Sequence, residues 1–112
     1  MTINEMRTPR DIFNELREML AKEPQRIDGL TALYQFDITG EYGGQWYVNI
    51  VDGKAEIHEG QADSPGCTIM MKDADYVAMS TGRLDGTTAF MNGQLRVKGD
   101  MYLAMKANSI FG

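Results

Sequence analysis

One histidine and one cysteine are all that this 112-residue chain offers of the two most versatile catalytic side chains. His58, in KAEIHE, would need an acid such as Glu56 or Asp63 to act as a general base, and no nucleophile is evident beside it. Alternation along that run turns it outward between acids, the setting of a solvated strand histidine. Cys67 opens the apolar run CTIMM and reads as a small buried hydrophobe, since nothing nearby in sequence would lower its thiol pKa. Asp73 and Asp75 are spaced like paired carboxylates, yet helix capping and the helix dipole account for both. Metal-ligand spacings are missing, and so are the GxGxxG, P-loop and GxSxG patterns. GEYGG joins two strands and opens no helix, which makes it a hairpin rather than a phosphate cradle. The expectation is no enzyme: no catalytic group, no metal and no cofactor.

Charge and composition exclude further classes. Sixteen acidic residues against eleven basic ones give a net charge of −5, and the basic residues stand singly, so nucleic acid is the least favoured partner. No stretch approaches the roughly 20 apolar residues of a membrane-spanning helix. The start, MTINEMRTPRD, lacks the apolar centre of a secretory signal. One cysteine cannot pair internally, which fits a reducing compartment. A cytoplasmic protein is expected.

The elements that would position these residues follow from spacing. In TPRDIFNELREMLAK, Thr8 is a natural N-cap, Pro9 suits the first turn, and Ile12, Phe13, Leu16, Met19 and Leu20 form one apolar stripe. Glu23-Pro24 ends this helix. Its polar face is mixed in sign, so it docks on its own sheet rather than on a membrane. Three alternating runs follow, TALYQFDIT, QWYVNIV and KAEIHE, with Asp52-Gly53 as a type I′ turn between the last two. CTIMM is a fourth strand. Asp73 caps a short helix, ADYVAMST, closed by Gly82; Asp85 or Thr87 starts another through TTAFMN, closed by Gly93. QLRVK is a fifth strand with Leu95 and Val97 inward, and Gly99-Asp100 leads into a last helix, MYLAMKANSIFG. The order predicts a single α+β domain.

What stands out is an excess of soft apolar side chains. Of nine methionines, six fall in the second half: Met70, Met71, Met79, Met91, Met101 and Met105. Methionine fills irregular gaps and re-packs, which suits a wall that must accept variable apolar shapes. The last helix is apolar on more than one face and must meet two apolar partners. One is the sheet; the other is a neighbouring helix, a second subunit or a ligand.

The run AFMNGQLRVKGDMYLAMK, from Ala89 to Lys106, resembles the C-terminal signature of the sterol carrier protein 2 (SCP2) family. That signature reads A-F-M-x-G-K-[LI]-[KR]-[IV]-x-G-[DN]-[MIL], and only Gln94, where the family usually carries lysine, departs from it. GGQWYVNIVDGKAEIHEG is similar to the family's hairpin, and DADYVAMSTGRLDGTTAF to its acid-capped helix. The resemblance runs from about Ile27 to Phe111. It implies that residues 1–112 form one SCP2-like lipid-binding domain, with a five-stranded mixed sheet and helices packed on one face. Between them would lie a hydrophobic tunnel for a small-molecule lipid: a fatty acid, an acyl-CoA or a sterol-like ligand. Candidate ligand-binding residues are Phe36, Trp46, Val77, Met79, Phe90, Met91, Met101, Leu103, Met105, Ile110 and Phe111, with Arg10, Arg17, Arg83 and Arg96 as candidate partners for a carboxylate head group. The ending Ile110-Phe111-Gly112 lacks the peroxisomal address tripeptide, in keeping with a cytosolic protein. Beside the carrier reading stand two others. One is a dimerising or accessory module for a lipid-modifying enzyme, with homodimer or transient membrane contact; the other is a small hydrolase or isomerase built on His58.

Overall fold

Helix α1 (Pro9–Lys22) starts on a capping box: the Thr8 hydroxyl accepts from the Asp11 N–H, and the Asp11 carboxylate accepts from the Thr8 N–H. Residues 7–111 are described in this computed structural model. Of the expected stripe, Ile12, Phe13, Leu16 and Leu20 are buried and Met19 is half-buried. Glu23 caps the helix end, and Pro24 opens a single 3-10 turn, Pro24–Ile27, that buries Ile27.

Four strands follow: β1 (Ala32–Thr39), β2 (Gly44–Val51), β3 (Lys54–Glu59) and β4 (Cys67–Lys72). Asp52 and Gly53 both have positive φ, 53° and 76°, as a type I′ turn requires. Helices α2 (Asp73–Ser80) and α3 (Gly86–Met91) precede β5 (Arg96–Gly99), and α4 (Met101–Phe111) ends the fold. The strand order is β3-β2-β1-β4-β5, with β1 and β4 parallel and the other pairs antiparallel. The sheet is therefore mixed, as the family resemblance implies.

Two boundaries differ from expectation for local reasons. Lys72, not Asp73, occupies the N-cap of α2; the Asp73 carboxylate instead accepts from the N–H groups of Ala74 and of Tyr42 in the β1–β2 hairpin. The fifth strand starts at Arg96 rather than Gln94, because the N–H groups of Gln94 and Leu95 bond back to the Ala89 carbonyl at the end of α3. Asp100 leads into α4 by accepting from the Tyr102 N–H at 2.8 Å. Just before it, Gly99 has φ +99°, and a Cβ there would collide with the Gly66 carbonyl.

All helices pack on one face. Helix α1 lies over the β3 side and against α2, whereas α4 covers β4 and β5. Phe13 is the hub of the α1 half, stacked on Trp46 at 4.7 Å and on Tyr76 at 5.1 Å, with Phe36 edge-on at 5.2 Å. The opposite sheet face is mostly polar, with Leu33 and Met70 among its apolar members. Its one buried polar residue, Gln35, is satisfied by donating to the Gly60 carbonyl and accepting from the Ala62 N–H.

Truncating the hub should cost far more than removing the cap. Phe13→Ala is expected to lower unfolding free energy by about 3–5 kcal/mol, and Thr8→Ala by about 1 kcal/mol. Urea unfolding of the two variants measures the difference.

Candidate functional site

Phe36, Ile69 and Val97 face one another in register across β1, β4 and β5, and make an apolar row on the sheet. That row is the floor of a cavity of about 360 Å³. Its size lies within the range of small-molecule sites, about 300–1,000 Å³. Tyr76, Met79 and Ser80, at helical spacing on α2, form one wall, and Gly86, Thr87 and Phe90 of α3 another. Met101, Ala104, Met105, Asn108 and Phe111 follow the same spacing along α4, with Ala107 and Leu95 completing the lining.

The void exists because α4 is held above the sheet by large residues and faces it with small ones. The Tyr34 hydroxyl donates to the Leu103 carbonyl at 2.7 Å. Phe111 meets the rings of both Tyr34 and Phe36 edge-on at 5.3 Å. Between these attachments the helix offers Ala104 and Ala107 to the interior. Burial pushes the phenol pKa of Tyr34 up, reinforced by the nearby Cys67 and Asp100. It pushes Tyr76 up as well, against the opposing effect of a hydrogen bond with Ser80. Both phenols stay protonated, and Tyr34 donates.

None of the lining residues is charged; the polar ones are Tyr76, Ser80, Thr87 and Asn108. Phe90, Met101 and Met105 are 47%, 52% and 74% exposed while still lining the cavity, so they form its mouth.

The structure brings six of the expected lining residues to this cavity: Phe36, Met79, Phe90, Met101, Met105 and Phe111. It places five elsewhere. Trp46 is buried against Phe13, because β2 is separated from β4 by β1 and lies under α1 rather than α4. Val77 packs against the general core beside Tyr76. Met91, 79% exposed, turns away at the end of α3. Leu103 points at Gly66, and Ile110 is buried in the core. Ile69, Tyr76, Ser80, Gly86, Thr87, Ala104, Ala107 and Asn108 complete a lining that the sequence pattern did not single out; Leu95 and Val97 carried the signal of an inward strand face.

The groups set aside as chemistry lie away from the cavity. His58 is exposed beside Glu56, 3.7 Å away, and beside the Tyr47 ring on the polar sheet face. Cys67 is fully buried, and burial pushes its thiol pKa up. Among the described residues no three His, Cys, Asp or Glu gather as a metal site. Arg10 forks onto the Glu59 carboxylate at 2.7 and 2.9 Å, and Arg17 donates to the Ile57 carbonyl. Arg83 donates to the Thr81 hydroxyl. Arg96 neighbours Val97 on β5, so alternation sends it to the outer face.

A model of the SCP-2 sterol transfer family matches residues 13–112. The chain belongs to this family. Hydroxysteroid dehydrogenase-like protein 2 of Xenopus tropicalis is 38% identical over 103 residues, 91% of this chain and 24% of that protein. Human sterol carrier protein 2 is 29% identical over 103 residues, 88% of this chain and 19% of that protein. The chain thus spans about a quarter or a fifth of the length of these curated relatives. Among solved structures, palmitated SCP2L2 of Aedes aegypti, determined by solution NMR, superposes with a TM-score of 0.79 at 22% identity, covering 94% of this chain and 95% of that one. The SCP-2 fold is therefore shared over nearly the whole chain.

Two substitutions separate this site from the rest of the surface. Tyr34→Phe removes the hydroxyl's bond to the Leu103 carbonyl, which keeps its helical partner, and should cost about 0.5–1.5 kcal/mol, together with a loosened α4 seen as faster amide exchange. His58→Ala should change stability by less than about 0.5 kcal/mol and leave ligand binding untouched. A large binding loss in that variant would move the site to the other sheet face.

Proposed function

We propose that this SCP-2 domain is a lipid-binding carrier without chemistry of its own, holding an acyl chain or comparably apolar ligand between the sheet and α4. The observation that carries this reading is the 360 Å³ cavity with its uncharged, largely apolar lining. Closing such a volume would gain dispersion contacts, so a void of this size in a small domain is best explained by an occupant. Methionines at the mouth and on α2 let the wall part and close at low cost in strain. The palmitated state of the Aedes aegypti structure, which shares the fold, adds support for a fatty-acyl guest. A fatty acid, the acyl part of an acyl-CoA or a sterol-like body suits the apolar floor; a CoA moiety would have to stay outside the mouth.

A second reading rests on a separate observation. Met91, Tyr102 and Met105 leave an exposed apolar surface on α3 and α4, and the relatives are far longer proteins. The domain would then also serve as a contact module, toward a second copy, an enzyme or a membrane. Sedimentation across a concentration series distinguishes a dimer from a monomer.

Ala104→Trp tests the carrier reading. In a filled core such overpacking destabilises by about 1–3 kcal/mol; here the indole enters existing space and the cost should be smaller. The parent should be stabilised by about 2.7 kcal/mol at a hundredfold excess of a fatty-acyl ligand over its dissociation constant, and the Trp variant should gain almost nothing. Equal gains in both proteins would contradict the assignment. Mass spectrometry of organic extracts from gently purified parent protein should find a lipid that the Trp variant lacks.

A further inference from the structure

We propose, resting on the contact-surface reading above, that the face built by α3, β5 and α4 around the cavity mouth docks on a lipid bilayer rich in anionic head groups. Exposed methionines and a tyrosine enter the head-group layer there, and Arg96, Lys98 and Lys106 meet its phosphates.

The first ground is where the exposed apolar side chains stand. Among the described residues seven large hydrophobic side chains are exposed, and five of them, Phe90, Met91, Met101, Tyr102 and Met105, lie on α3 and α4. The other two, Tyr42 and Val51, sit apart in the β1–β2 hairpin and at the end of β2. Phe90, Met101 and Met105 also line the cavity, so the cluster is continuous with its opening. Tyr102 precedes Met105 by three residues and Lys106 by four, which sets the three on one face of α4. A contiguous apolar patch of this kind on a small domain marks a contact site.

The second ground is charge, and it decides what covers the patch. Residues 81–112 carry four cations, Arg83, Arg96, Lys98 and Lys106, against two acids, Asp85 and Asp100. That is +2 in a chain whose total is −5, so the remainder carries −7. Among the described residues no ion pair involves any of these four cations, whereas Arg7, Arg10 and Arg26 each pair with a glutamate in the acidic remainder. Arg96 and Lys98 flank Val97, a floor residue of the cavity, on the edge strand of the sheet. Lys106 lies over the Tyr102 ring, 5.6 Å from its centre. Asp85 and Asp100 are turned onto helix starts, accepting from the N–H groups of Thr88 and Tyr102. A second copy seated on the same face would therefore oppose cation to cation. Anionic lipid supplies the missing counter-charge, at roughly fivefold in affinity for each Lys or Arg near the surface. Tyrosine and long cationic side chains suit the depth of the head groups. In this pose the acidic remainder faces away, and a guest passes between bilayer and cavity without crossing water.

The test is flotation of the full chain with vesicles of phosphatidylcholine alone and with about a third phosphatidylglycerol, beside binding of a fluorescent fatty acid in solution. Anionic vesicles should bind the parent at least about tenfold more tightly than neutral ones, and about 0.5 M salt should remove most of the difference. Lys98→Glu with Lys106→Glu should abolish the preference. Met91→Gln with Tyr102→Gln, neither of which lines the cavity, should weaken binding to both vesicle types several-fold. Lys22→Glu with Lys54→Glu changes net charge by the same amount from the end of α1 and from β3 at the opposite sheet edge, and should float nearly like the parent. Retained fatty-acid binding shows that the variants are folded. Equal flotation on both vesicle types, or an equal loss in both lysine pairs, overturns the inference. Absence of flotation overturns it too. If the parent then self-associates and the Met91 and Tyr102 substitutions release it, the contact reading stands with a second copy as occupant; no flotation and no self-association strike the membrane and the second copy together.

Discussion

Tyr34 ties the last helix to the sheet in two ways, and the hollow half of the domain depends on it. Its hydroxyl reaches the backbone of Leu103, and its ring meets Phe111 two turns further along α4. A helix held at both points by large groups cannot settle onto the strands between them. With alanines at 104 and 107 on the inner side, the helix also lacks the bulk to fill what lies beneath. A cavity in a close-packed interior needs such a brace, because collapse would otherwise recover contact energy.

Strand order explains why only one half is hollow. Sheet order β3-β2-β1-β4-β5 places the two strands of the second hairpin under α1 and the two C-terminal strands under α4. In the first half Phe13 and Trp46 fill the space between helix and sheet by stacking. Phe36 and Tyr76, in contact with Phe13 on one side, present their other faces to the cavity. One aromatic cluster is thus both the solid core and the rigid end wall of the site.

The regular elements were legible because their signals are local. The Thr8 and Asp11 capping box, the period of α1 and the alternation of Tyr34, Phe36 and Ile38 each need only a few neighbouring residues to be read. The family signature then supplied the mixed sheet and the tunnel; which strands pair in parallel, β1 with β4, came only from the structure, because no local pattern reveals it. The lining was only half legible, for two physical reasons. Large apolar residues announce themselves, yet Trp46 and Ile110 use their size to fill the core, and the sequence does not say which side of β1 a strand will occupy. A void, conversely, is defined by what is small. Gly86, Ala104 and Ala107 shape the space by carrying no side chain or only a methyl group, and nothing in composition marks such residues as functional.

An apolar guest held between the sheet and a braced helix is the central claim, and methyl NMR of the methionines tests it most directly. Met79, Met101 and Met105 line the cavity, whereas Met19 belongs to α1 and Met70 pairs with Arg96 on the outer sheet face. Adding 1-dodecanol to methyl-labelled protein should shift the first three signals and produce contacts from their methyls to the ligand chain, leaving Met19 and Met70 in place. Contacts confined to Met19 or Met70, or no shift at saturating ligand, would contradict it.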